Sequence, residues 1–121
     1  MPHLVIGYSR NIHNLSQEKL LKHVNHELIQ TGLFEAKAIK SRIHKDEVFV
    51  IGDNDDSQGY IHAQLSVLSG RTEEQKQHLS QILLQALLSF KDYEAYTLSV
   101  QVCAEILEMP KNQYAKQIVE Y

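Results

Sequence analysis

The chain uses one arrangement of apolar residues twice within 121 positions, and that recurrence limits the folds open to it. Leu4-Val5-Ile6 is a short β-prone run closed by Gly7 and the polar Ser9-Arg10-Asn11, which predicts a strand over Pro2–Tyr8. Proline is tolerated as the first residue of a strand, where its missing N–H costs little. Leu20, Leu21, Val24 and Leu28 then recur at helical spacing, with Asn14 or Ser16 as a cap and Gly32 where a left-handed C-terminal cap would fall. A helix over Ser16–Thr31 follows. Beyond Gly32 the period drops to two, placing Ile39 and Ile43 on one side of a strand and Lys40, Arg42 and His44 on the other. Val48–Ile51 is apolar enough to extend or resume that strand past a turn at Lys45-Asp46. The run Gly52–Gly59 is turn chemistry and ends the first half.

The second half keeps the same order. Ile61, Ala63, Leu65 and Val67 alternate with His62, Gln64 and Ser66 as a strand, and Ser69-Gly70-Arg71 makes a turn. Thr72-Glu73-Glu74-Gln75 is a capping box that opens a helix, whose apolar stripe Leu79, Ile82, Leu83, Ala86, Leu87 and Phe90 runs to about Lys91. Leu98, Val100, Val102, Ala104 and Ile106 mark the last strand, with Gln101, Cys103 and Glu105 on its other side. The fold class expected is α+β, from two consecutive β-α-β units (about residues 2–51 and 60–106) in a single domain. Each crossover joins two parallel strands, and a four-stranded sheet with both helices on one face is the simplest assembly. The opposite face would carry Lys40, Arg42, His62, Gln64, Gln101 and Glu105, and would be either solvated or set against other subunits. A tail from about residue 107 to 121, with Tyr114, Ile118, Val119 and Tyr121, is apolar enough to pack on a neighbouring chain.

Composition excludes several functions. A formal charge of -3 with only 12 dispersed Lys and Arg residues offers no basic surface for nucleic acid or an anionic membrane. No stretch approaches the roughly 20 apolar residues that span a bilayer, and no leader is evident. Cys103 is the single cysteine, so an intrachain disulfide and a cysteine-rich zinc site are ruled out, and a cytoplasmic, reducing setting is expected. His3, His44 and His62 lie on different strands without chelating spacing, so no metal is expected. Cys103 alternates with Val102 and Ala104 and reads as packing.

In order along the chain, Met1-Pro2-His3, Thr31-Gly32-Leu33-Phe34, Ile39-Lys40-Ser41-Arg42-Ile43-His44 and Ser69-Gly70-Arg71-Thr72 form a set of landmarks. Together they resemble the 5-carboxymethyl-2-hydroxymuconate isomerase family of the tautomerase superfamily, from the first residue to roughly Ile106. The resemblance implies a cofactor-free homotrimer whose N-terminal proline, freed by removal of Met1, is the catalytic base. It implies a carboxylated dienol as substrate, converted to the conjugated keto acid during bacterial breakdown of homoprotocatechuate. It also implies that arginines bind the substrate carboxylates and polarise its oxygen. Carried onto this chain, the catalytic residues are Pro2, Arg71 and Lys40, and the substrate-binding ones Arg42, Arg71, Lys40 and His44. Lys40 stands where the family motif has arginine; lysine keeps the charge but loses the planar two-point grip.

The chemistry of these residues agrees with those roles. A proline nitrogen inside a chain is an inert amide, whereas at a free terminus it is a secondary amine, and a reference α-amine titrates near about 8. Apolar burial and neighbouring cations both favour its neutral, basic form. Arg71 lies just before a helix N-terminus, where free N–H groups and the dipole already attract anions. Lys40, Arg42 and Arg71 together suit a multiply charged acid and a developing dienolate. On residues alone, two other readings stay open: a non-enzymatic ligand-binding or regulatory module, and a proline-based hydratase or dehalogenase.

Overall fold

The computed structural model describes residues 2–121, so the predicted removal of Met1 concerns a position outside the described chain. Strand β1 (His3–Ser9), helix α1 (Gln17–Gln30) and strand β2 (Lys40–Asp46) form the first unit, and β3 (Gln58–Leu68), α2 (Glu73–Ser89) and β4 (Ser99–Met109) the second. The sheet order is β2-β1-β3-β4. β1 runs parallel to β2 and β3 parallel to β4, while the two units meet through antiparallel pairing of β1 with β3. This is the expected pair of β-α-β units, joined into a mixed sheet with helices on one face.

The alternation read from the sequence decides which side is covered. Leu4, Ile6 and Tyr8 of β1 and Ile61, Ala63, Leu65 and Val67 of β3 point into the core. There they meet Leu20, Val24 and Leu28 of α1 and Leu83, Ala86 and Leu87 of α2, all buried. Each fully buried Leu or Ile contributes roughly 1.5–3 kcal/mol relative to an exposed one. The next residue along each strand faces the open side, where Lys40, Arg42, His44, Gln101 and Cys103 are exposed.

Three boundaries differ from the sequence expectation. Val48–Ile51 is not strand, and Val48 is 94% exposed. The ladder beside β2 stops where Ser9 meets Asp46, so the residues beyond have no neighbour to pair with. At the other end of the turn run, Gln58 and Gly59 belong to β3. The Asn11 side-chain amide donates to the Gln58 carbonyl at 2.8 Å, and the Tyr60 N–H donates to Ser9 Oγ at 3.0 Å. Gly59 permits this approach, since a Cβ there would lie 3.2 Å from Ser9 Oγ. Finally, β4 continues past Ile106 to Met109 because Leu68 of β3 is still available to pair with it.

Helix ends follow the local chemistry. Ser16 occupies the N-cap of α1, but its hydroxyl donates to Asp92 at 2.7 Å and accepts no N–H of the helix. Gly32 takes the left-handed conformation (φ 74°) that stops the helix. The α2 capping box is complete: the Gln75 N–H donates to Thr72 Oγ1 at 3.1 Å, and the Thr72 N–H donates to Gln75 Oε1 at 2.9 Å. Because this cap sets the start of the helix next to Arg71, Thr72→Ala is expected to lower unfolding free energy by about 1 kcal/mol. Urea denaturation monitored by circular dichroism measures it.

Candidate active site

The register brings three strand ends to Pro2. Its carbonyl accepts from the Lys40 N–H at 3.1 Å, which pins the residue just before β1 to the first of β2. On its other side His3 pairs with Ser66, so one step further out Pro2 lies level with Val67. β3 ends one residue later and continues into Ser69-Gly70-Arg71. β4 ends at the same place, with the Ser69 N–H donating to the Met109 carbonyl at 3.0 Å. Pro2 itself is fully buried.

Arg71 is held beside an aromatic ring. The Gly32 turn leads the chain out of α1 into Leu33-Phe34, and Phe34 packs against the core. The Arg71 guanidinium carbon lies 5.0 Å from the centre of the Phe34 ring. A cation over a ring face gains about 0.5–2 kcal/mol and gives up side-chain freedom. Its Nε is buried without a hydrogen-bond partner among the described residues. An unpaired buried donor costs about 1–3 kcal/mol, which an incoming carboxylate would relieve.

Lys40, Arg42 and His44 occupy the other side of the sheet. Pro2 shares the side of Leu4 and Ile6, whereas these three alternate with Ile39 and Ile43 and stay exposed. Lys40 turns its ammonium back to the carbonyls of Lys37 (2.9 Å) and Ala38 (3.2 Å). Among the described residues neither Lys40 nor Arg42 has a carboxylate partner; Glu105, on the same face of the sheet, faces His62 at 3.1 Å and accepts from Gln64 at 2.8 Å. His44 lies four residues along β2 from Lys40, roughly 13 Å at strand rise. Its ring covers Gly7, where a Cβ would come within 2.5 Å of it, and its Nδ1 meets Asp46 at 2.7 Å. The other Asp46 oxygen accepts from Tyr60, whose hydroxyl is pushed up to about 12 by burial, by that hydrogen bond and by the carboxylate charge. The structure thus brings Pro2 and Arg71 to one end of the sheet, and sets Lys40, Arg42 and His44 on the face beyond it.

His3 joins the two sides. Its Nε2 lies 3.0 Å from the Tyr114 hydroxyl, so part of the predicted outward-packing tail docks on its own chain, while Ile118, Val119 and Tyr121 remain exposed. Burial, then the charges of Arg42 and Lys40, lower the His3 pKa. The sequence offered no signal for the Phe34–Arg71 or His3–Tyr114 contacts, because each joins residues far apart in the chain. Among the described residues no group of three or more His, Cys, Asp or Glu is placed to hold a metal ion, and no helix is long and apolar enough to cross a membrane.

The sequence profile of 5-carboxymethyl-2-hydroxymuconate isomerase matches residues 2–118. The chain belongs to that family. With it the chain takes its place as an isomerase of the tautomerase superfamily, and the non-enzymatic reading falls away. It is 28% identical over 88 residues to the 5-carboxymethyl-2-hydroxymuconate Delta-isomerase of Escherichia coli, covering 72% of this chain and 70% of that one. Its fold is similar to that of a 5-carboxymethyl-2-hydroxymuconate isomerase from Deinococcus radiodurans R1, with a TM-score of 0.83, 23% identity, and coverage of 96% and 88% of the two chains. It is also similar to a fused 4-OT symmetric trimer (TM-score 0.71, 18% identity, 94% and 90% covered).

The His3 environment sets a testable midpoint. Its proton NMR titration is expected below the ordinary value of about 6.5. With the folded value depressed, the stability tied to neutral His3 is complete above about pH 6.5 and is lost as pH falls toward the folded midpoint. A midpoint at or above 6.5 would contradict the burial and cation contacts described.

Proposed function

We propose that this isomerase shifts a proton in 5-carboxymethyl-2-hydroxymuconate or a similar unsaturated 2-hydroxy acid, with the Pro2 ring nitrogen as general base once Met1 is removed. The observation that carries the proposal is a fully buried Pro2 level with the end of β3, the strand that leads into the turn bearing Arg71, whose buried Nε has no hydrogen-bond partner among the described residues. The amine accepts one proton from the dienol and returns it to another carbon. Product and substrate are then isomers, and no electron pair leaves the substrate. Water exclusion around Pro2 favours the neutral amine before the reaction, and the cations of the site compensate negative charge on the dienolate as it forms.

Arg71 supplies the carboxylate grip, held flat by Phe34. Lys40 adds charge at the start of β2, next to Pro2 through the backbone. Arg42 and His44 serve substrate from the open face, which an oligomer would close. A homotrimer assembled through that face is the form we propose, supported by the similarity to fused 4-OT trimers and by the exposed Arg42, which has no carboxylate partner among the described residues. We assign the protein to the cytoplasm, where its single free cysteine suits a reducing medium.

An ultraviolet assay with the carboxymethyl-substituted and unsubstituted hydroxymuconates, on protein whose N-terminus is verified by intact mass, tests the reaction. Pro2→Ala is expected to lower turnover at least about tenfold, with circular dichroism and sedimentation unchanged. Equal turnover by both proteins would defeat the base assignment. Arg71→Ala is expected to act mainly by raising KM, as loss of a ground-state carboxylate contact does. An unchanged KM would leave Arg71 a turn residue.

A further inference from the structure

The C-terminal segment brings one more cation to the proline end of the sheet. After β4 ends at Met109, Pro110 leads into a short 3₁₀ turn, Lys111–Gln113. The Lys111 N–H donates to Ser69 Oγ at 3.2 Å, which ties this turn to the end of β3. Beyond the turn, Tyr114 reaches His3 at the start of β1. The segment therefore passes from the end of β3 to the start of β1, the edge along which Pro2 lies.

The Lys111 side chain fills a notch that only glycine leaves open. A Cβ on Gly70 would stand 3.1 Å from Lys111 Nζ and 3.5 Å from its Cε, and Gly70 has φ +120°. The ammonium is thus seated over the residue directly before Arg71. Among the described residues it has no carboxylate partner. The acids of that region, Glu73 and Glu108, are both held by Lys76, at 2.7 and 2.8 Å. The Lys111 ammonium lies beside Gly70 and the Arg71 side chain starts from the next residue, so one turn carries two cations suited to an acid with two carboxylates. Arg71 with its buried, unpartnered Nε provides one seat, and Lys111 provides the other.

We propose that Lys111 is a specificity-determining residue that binds the carboxylate on the carboxymethyl arm of the substrate, while Arg71 holds another. The inference rests on the isomerase reading above. It gives a role to the fastening of a segment outside the two β-α-β units at both Ser69 and His3: the fastening holds a cation at the end of the sheet where Pro2 and Arg71 lie.

The test compares kcat/KM on the three-carboxylate carboxymethyl-substituted dienol with that on the two-carboxylate unsubstituted one. Lys111→Ala is expected to lower the ratio of the two about tenfold, through KM and not kcat, as loss of one charge-assisted contact would. Lys111→Met, which keeps an unbranched stem over Gly70, should lower it equally, and Lys111→Arg should restore it. An unchanged ratio overturns the proposal. Should the unaltered protein turn over neither dienol, the isomerase reading falls separately, and calorimetric binding of tricarballylate and glutarate then tests Lys111. Greater weakening of tricarballylate than of glutarate by Lys111→Ala upholds the proposal. Equal weakening, or no binding of either acid to the unaltered protein, overturns it.

Discussion

The antiparallel pairing of β1 with β3 is the constraint on which the rest of the structure depends. Each β-α-β unit alone has a strand edge and one side of its helix without cover. Pairing the two units through their first strands puts β1 and β3 at the centre and lets α1 and α2 share one core. The same pairing has a chemical consequence. Since the strands run opposite ways, the start of β1 meets the end of β3, and Pro2 comes to the turn that carries Arg71.

The sheet then separates two kinds of surface. On the helix side the strands bury aliphatic residues, and Pro2 belongs to that side. On the open side the carboxylates are engaged locally: Asp46 by His44 and Tyr60, and Glu105 by His62 and Gln64. Lys40 and Arg42 are left without acidic partners among the described residues. Positive charge is consequently left without acidic partners among the described residues at the end of the sheet where Pro2 lies, and with burial it lowers the His3 pKa. A site for a multiply charged acid needs such an excess before the ligand arrives. Small residues make close seating possible, with Gly7 beneath the His44 ring and Gly70 beneath the Lys111 ammonium.

Much of the fold was legible in local pattern. An apolar β-prone run marked the first strand and alternation the other three, helical spacing marked both helices and the Thr72–Gln75 capping box the start of the second, and the side of β2 carrying Lys40, Arg42 and His44 followed from period two alone. Misjudged boundaries were those that a neighbouring strand decides. Val48–Ile51 has strand composition but no ladder to join, whereas Gln58 and Gly59 have turn composition yet are drawn into β3 by Asn11 and Ser9. Pro2 and Arg71 were nameable from family landmarks, but nothing in the sequence pointed to Phe34 as the platform for Arg71 or to Lys111 beside Gly70.

By itself the sequence determined the elements and their inward faces, because those depend on interactions between near neighbours in the chain. Only the tertiary structure decided that the units join antiparallel, that Pro2 and Arg71 share one end, that Lys40, Arg42 and His44 lie across the sheet from the Pro2 ring, and that the tail returns to His3. Those outcomes rest on contacts between distant segments, set by which strand edges pair and which cavities remain to be filled, and no local periodicity encodes them.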